Sequence, residues 1–179
     1  MTSKETAYFA TGCFWGAERR FWQLPGVIET SVGYMGGSKS EPTYKEVCTG
    51  LTGHAETVAV HFDPNQISYL RLLAEFWMMH DPTSLNQQGN DIGTQYRSAI
   101  FTTNSEQMKV AQASRDIYQS QLNAQQIGEI VTEIVPSDGK TYWLAEEYHQ
   151  KYLAKNPKDR KSTRLNSSHV SESRMPSSA

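Results

Sequence analysis

A chain of 179 residues that is 37% hydrophobic and 11% aromatic can bury one sizeable core and is too short for two ordinary domains. Its 17 Lys and Arg against 19 Asp and Glu leave a net charge of −2, which argues against a broad nucleic-acid footprint. No window approaches the roughly 18 consecutive apolar residues of a membrane-spanning helix. Two cysteines, Cys13 and Cys48, cannot build a disulfide framework or a four-sulfur zinc site. The stretch MTSKETAYFATG lacks the apolar core of a secretory signal, so a reducing, cytoplasmic setting is expected.

Strand and helix signals then alternate along the chain. Tyr8–Thr11 is a short apolar run stopped by Gly12 and reads as a buried strand. A helix is expected from Phe14 to Gln23, closed by Leu24-Pro25-Gly26. Val27–Met35 is strand-like, and Pro42–Cys48 starts a short helix with its proline near the first turn. Glu56–Phe62 alternates, with Val58, Val60 and Phe62 on one face. Ser68 can cap a helix in which Leu70, Leu73, Trp77 and His80 recur at helical spacing. Tyr96–Thr102 reads as a strand, and Asn104 with Gln107 opens a long helix to about Leu122. Ile130–Val135 is a further strand, and Leu144–Leu153 a last helix. The mixture predicts an α+β fold with helices packed on a sheet. From Lys161 the chain changes character. Seven serines in residues 161–179 and no apolar periodicity predict a disordered tail, either a native floppy terminus or sequence that does not belong to the fold.

Chemistry concentrates at Gly12-Cys13-Phe14-Trp15-Gly16, where a strand becomes a helix. A cysteine at a helix amino terminus faces unpaired backbone N–H groups and the positive end of the dipole, which favour the nucleophilic thiolate. The flanking glycines allow a sharp turn, and Phe14 and Trp15 put apolar surface beside the sulfur, unless one of them is ordinary core. Glu56 shares the face of Val58, Val60 and Phe62. Placed inward it would be desolvated and its protonated form favoured, as a general acid requires; at the strand's first position it can instead bend into solvent. His54 reads as a residue that orients a turn. Tyr44 and Tyr96 follow loop residues and are candidates to hold a polar substrate oxygen, with a buried, hydrogen-bonded phenol as the alternative. Asp91 is a loop former or part of the same site.

These segments together resemble the type A peptide methionine sulfoxide reductases. The likeness is carried by GCFWG at 12–16, PTYKEVCTG at 42–50, GHAE at 53–56, HDPT at 80–83, QGNDIGTQYRSAI at 88–100 and AEEYHQKYLAKNP at 145–157. The resemblance implies a two-layer α+β sandwich with a ferredoxin-like core and no cofactor. It implies Cys13 as the nucleophile on the sulfoxide sulfur and Glu56 as the acid that protonates the oxygen. Tyr44 and Tyr96 match the hydroxyls that bind that oxygen, Phe14 and Trp15 the wall that receives the methyl group, and Asp91 a polar residue at the pocket edge. It further implies a preference for the S epimer, a sulfenic acid on Cys13 and a role in repair after oxidation.

One departure stands out. The family commonly carries a resolving cysteine after the AKNP segment, and here KDRKSTRLNSSHV follows with none. The Cys48 position resembles a family cysteine that is usually structural, so Cys48 is expected to be buried and unable to reach Cys13. The first methionine should then form without reductant, after which the enzyme stalls until a small thiol attacks the sulfenic acid. Expected partners are methionine sulfoxide in peptides or proteins and an external thiol reductant, thioredoxin or glutaredoxin, acting on a monomer. Two other readings use the same residues. Trp15, Tyr44, Tyr96 and an ionised Glu56 could form an aromatic cage for a methylated cation. A cysteine hydrolase would use His54 or His149 as base, though neither lies in a recognisable catalytic context.

Overall fold

The computed structural model describes residues 4–159. The serine-rich tail from Lys161 lies outside the described residues. Along the chain run β1 (Glu5–Thr11), α1 (Phe14–Trp22), β2 (Val27–Met35), α2 (Tyr44–Cys48), β3 (Ala55–Phe62) and α3 (Tyr69–Met78). A small hairpin of β4 (Gln87–Gln88) and β5 (Asp91–Ile92) follows, then β6 (Ser98–Thr102), α4 (Ser105–Ala124), β7 (Glu133–Pro136), β8 (Trp143–Leu144) and α5 (Tyr152–Lys155).

The main sheet has the order β7-β6-β1-β3-β2-β8. At its centre β3 runs antiparallel to both β1 and β2, and β6 antiparallel to β1. With α1 and α3 as the crossing helices, this is the ferredoxin-like core expected from the sequence. The parallel pairing of β6 with β7 makes the sheet mixed.

The helix-covered face holds the larger core, where Phe9, Phe21, Val58, Val60, Phe62, Leu72, Leu73, Phe76 and Trp77 pack together. The opposite face carries a smaller cluster of Ala10, Met35, Ala55, Ala99 and Phe101 beneath Tyr142. Burial on both faces explains why β3 is buried at nearly every position although its sequence alternates. The helix starts agree with the expected caps. The Ser68 hydroxyl accepts from the Arg71 amide, Asn104 accepts from the Gln107 amide, and Thr43 with Glu46 forms a complete capping box for α2.

Four expectations need correction. Leu70 is not on the buried stripe of α3; it is 55% exposed, whereas Leu73 and Trp77 face the core as expected, with Leu72 and Phe76 beside them. Tyr96 ends a 3-10 turn rather than opening β6, and β7 begins three residues later than expected. The helix expected over Leu144–Leu153 is broken into β8, a 3-10 turn at Glu147–His149 and the four residues of α5. Tertiary hydrogen bonds override the local propensity there. Gln150 uses its side chain like a strand backbone, accepting from the Val32 amide and donating to the Val32 and Ala145 carbonyls. Lys151 then adopts a left-handed conformation (φ 53°), and its amide donates to the buried Glu18 carboxylate at 2.9 Å.

Candidate active site

Cys13 occupies the N-cap of the nine-residue α1, directly after the central strand β1. The turn depends on Gly12, whose φ is +107° and where a Cβ would lie 2.8 Å from the Gln88 side chain. The β1–β3 register, with Phe9 opposite Val58, brings Glu56 level with the end of β1. Glu56 is 2% exposed, so it points inward and does not bend into solvent. Its Oε1 accepts from the Phe14 amide at 3.2 Å, placing a buried carboxyl one residue from the Cys13 sulfur.

The two tyrosines come from separate segments. Tyr44 opens α2, and its amide donates to Glu146 Oε2 at 2.8 Å while the buried Tyr34 hydroxyl donates to the other oxygen at 2.8 Å. One carboxylate thus ties α2 to β2. Burial, then the neighbouring Glu56 and Cys48, pushes the Tyr44 phenol well above its ordinary value. Tyr96 is raised by burial first, then by Glu56, Asp91, Cys48 and Cys13. Both phenols therefore stay protonated donors at any physiological pH, and Tyr96 responds to Glu56, Asp91, Cys48 and Cys13 together. Asp91 is supplied by β5.

Phe14 is buried against Tyr34 and His149, with ring centroids 5.8 and 5.3 Å away. Trp15 is half-buried beside it. Its indole N–H donates to His149 Nδ1 at 3.0 Å, and Tyr152 stacks on its ring at 3.7 Å and 9°. His149 also lies 4.4 Å from the Tyr44 ring and 4.1 Å from that of Tyr148. Burial holds this imidazole below its ordinary value, so it remains the neutral acceptor that the indole needs. His54 behaves as expected: Nδ1 accepts from the Gly37 amide at 3.0 Å and Nε2 lies 2.7 Å from the Lys39 carbonyl, fixing a turn.

The structure thus brings Cys13, Glu56, Tyr44, Tyr96, Asp91, Phe14 and Trp15 into one locality. His149 and Tyr152 complete it. Sequence reasoning missed their part, because His149 was weighed only as a hydrolase base and nothing local links it to Trp15. The expectation for Cys48 is overturned. Cys48 is exposed, not buried, because it ends a one-turn helix whose inward-facing residue is Val47. It is also hydrogen-bonded to the Tyr44 side chain.

Comparison with known proteins agrees with this geometry. The family described as peptide methionine sulfoxide reductase matches residues 5–177. The peptide methionine sulfoxide reductase MsrA of Rhodospirillum centenum is 57% identical over 153 residues, covering 86% of this chain and 69% of that protein. Methionine sulfoxide reductase A of Corynebacterium diphtheriae superposes with a TM-score of 0.83 at 46% identity, over 86% of this chain and 76% of that one. Reduced Mxr1 from Saccharomyces cerevisiae gives 0.79 at 36% identity, over 87% of each chain. The chain belongs to the type A peptide methionine sulfoxide reductases.

Proposed function

We propose that residues 1–160 form a catalytic unit that reduces the S epimer of methionine sulfoxide, free or in peptides and proteins, in two half-reactions centred on Cys13. The observation that supports this reading is the Phe14 amide bound to the buried Glu56 carboxyl at 3.2 Å, one residue from Cys13, with the Tyr44 and Tyr96 phenols both perturbed by Glu56. The amino-terminal end of α1 supports a thiolate on Cys13. That thiolate attacks the sulfoxide sulfur. In this scheme Glu56 acts as the acid and delivers a proton to the oxygen, while Tyr44 and Tyr96 donate hydrogen bonds as charge develops there. Trp15 meets the substrate methyl, Phe14 forms the floor below it, and Asp91 borders the pocket. Oxygen ends on Cys13 as a sulfenic acid, and methionine leaves reduced by two electrons.

An external thiol, thioredoxin or glutaredoxin, restores Cys13, and a reducing compartment such as the cytoplasm suits both that donor and the thiol. The described residues hold no helix long and apolar enough to cross a membrane. The chain acts as a monomer, since every group of the scheme lies on it. Turnover of the two epimers of a methionine sulfoxide peptide, assayed separately with dithiothreitol, tests the reading. Only the S epimer should be consumed. Cys13→Ser should abolish consumption with the fold intact, because a serine hydroxyl does not ionise near neutral pH. Activity above background in that variant removes Cys13 from the scheme.

A further inference from the structure

We propose that Cys48 is the resolving thiol of this chain, closing a disulfide with Cys13 after the sulfoxide has been reduced. The inference rests on the function proposed above, since it needs a sulfenic acid on Cys13. The sequence contains two cysteines, so one internal partner exists for that sulfenic acid. As a buried structural residue Cys48 would be unsuited to the task, but it is exposed.

Its position also joins it to the reaction site. Tyr44 and Cys48 are four residues apart on α2 and share a face of the helix, so the segment that delivers the oxygen-binding phenol delivers the second sulfur with it. The Tyr44 ring packs 4.4 Å from His149, which in turn lies 5.3 Å from Phe14, the residue after Cys13. From the other side, the Tyr96 phenol responds to the charge of both Cys48 and Cys13, along with Glu56 and Asp91.

The local backbone permits approach. A disulfide requires Cα atoms about 4.4–6.8 Å apart. Adjustment toward that spacing falls on the last turn of α2 and the segment behind it, which turns at Gly50 (φ +78°) and Gly53 (φ +79°). The Cβ position of Gly50 has its nearest neighbour at 3.9 Å, so this turn is not wedged against the body of the protein. A single helical turn ending at the surface opens at lower free energy than the sheet it rests on.

The chemistry balances without an added oxidant. The Cys48 sulfur attacks the Cys13 sulfur, an S–S bond forms and the S–O bond breaks. The hydroxyl leaves as water with the Cys48 thiol proton; the Cys48 sulfur is oxidised and the Cys13 sulfur reduced. The product is a disulfide, the species a dithiol such as thioredoxin opens by exchange. The stall expected for a buried Cys48 is thereby replaced by an intramolecular step.

The test treats the full chain with excess S-sulfoxide peptide and no reductant, then measures released methionine, remaining thiols and the peptide map. One methionine per chain, loss of both thiols and a stoichiometric Cys13–Cys48 linkage within a single chain are expected. In Cys48→Ser the sulfenic acid should persist on Cys13 and be captured by dimedone, and thioredoxin-driven turnover should fall by about tenfold or more while dithiothreitol still supports cycling. No methionine at all sinks the proposed function itself. Methionine release with one thiol lost and a dimedone adduct on wild-type Cys13 overturns this inference alone, as does a disulfide that joins two chains. Wild-type mapping needs no variant, so a Cys48→Ser chain that fails to fold leaves the test decisive.

Discussion

Replacing Glu56 by Gln is the most discriminating change, because it alters the proton and little else. The amide is isosteric, and its Oε1 can still accept from the Phe14 amide now bound at 3.2 Å. Burial at 2% exposure leaves no room for bulk water to stand in as donor. What is lost is a transferable proton at the sulfoxide oxygen, and general acids contribute about 10²–10⁴-fold. Two phenols remain to stabilise the developing charge, so the lower part of that range applies: a fall of roughly 10²–10³-fold, or about 3–4 kcal/mol of transition-state stabilisation. The assay is a single-turnover measurement of methionine formation in excess enzyme, where reductant and product release do not enter. The substrate concentration for half-maximal rate should change little, since an amide N–H can still bind the oxygen. A Glu56→Gln chain that forms methionine within a few-fold of the wild-type rate refutes the reasoning, and the proton then comes from a tyrosine or from solvent.

Tyr44→Phe and Tyr96→Phe should each slow the same step by about tenfold, the ~1.4 kcal/mol of one neutral hydrogen bond, because each leaves the other phenol in place; a loss equal to that of Glu56→Gln in either would identify that phenol as the proton source. His149→Leu should raise KM by about fivefold with a smaller change in kcat, since Trp15 loses the acceptor 3.0 Å from its indole N–H and with it the fixed orientation of the methyl wall; an unchanged KM would remove His149 from that positioning role. Acid should destabilise the fold through His80, fully buried and hydrogen-bonded to the Phe76 carbonyl and Ser98. Burial lowers its imidazole to about 4 despite the opposing pull of the Phe76 carbonyl and Asp81, against an ordinary 6.5, so the unfolded chain binds a proton that the folded chain refuses between those values. Stability is full above about pH 6.5 and falls toward pH 4, by up to ~3 kcal/mol from this group; a His80 ring titrating near 6.5 by NMR of the folded protein contradicts the assignment.

The core of the fold was legible because hydrophobic burial there follows short-range pattern. β1, α1, β2 and β3 each carry an apolar run or periodicity, and their observed bounds lie close to those the pattern implies, β1 beginning three residues earlier. The pattern failed where burial is decided by something else. Leu70 is apolar and at helical spacing, yet α3 turns its neighbours Leu72 and Leu73 inward, and periodicity alone does not fix the rotation of a ten-residue helix. The segment after Leu144 has helical composition but is anchored by Gln150 on β2 and by Lys151 on Glu18, partners 118 and 133 residues away. Those hydrogen bonds cost nothing in local propensity that a window of sequence can register, and they decide the outcome.

The site divides along the same line. Cys13 and Glu56 could be found because each sits at a point where local physics is unusual: a thiol at a helix start, and a carboxyl on the apolar face of a strand. Trp15 was legible as a wall but not as an oriented one, since its orientation comes from His149 and Tyr152, more than 130 residues downstream. Cys48 shows the opposite hazard. Free cysteines are buried on average because the thiol behaves as a small hydrophobe. A five-residue helix capped by Thr43 and packed through Val47 has a single inward position, and Cys48 is not at it. Its exposure follows from the shortness of α2, and its place on the Tyr44 face from the four-residue spacing. That same shortness leaves a second sulfur exposed on the one-turn helix that carries Tyr44, so the feature that defeated the sequence reading is the one on which recycling of Cys13 is proposed to depend.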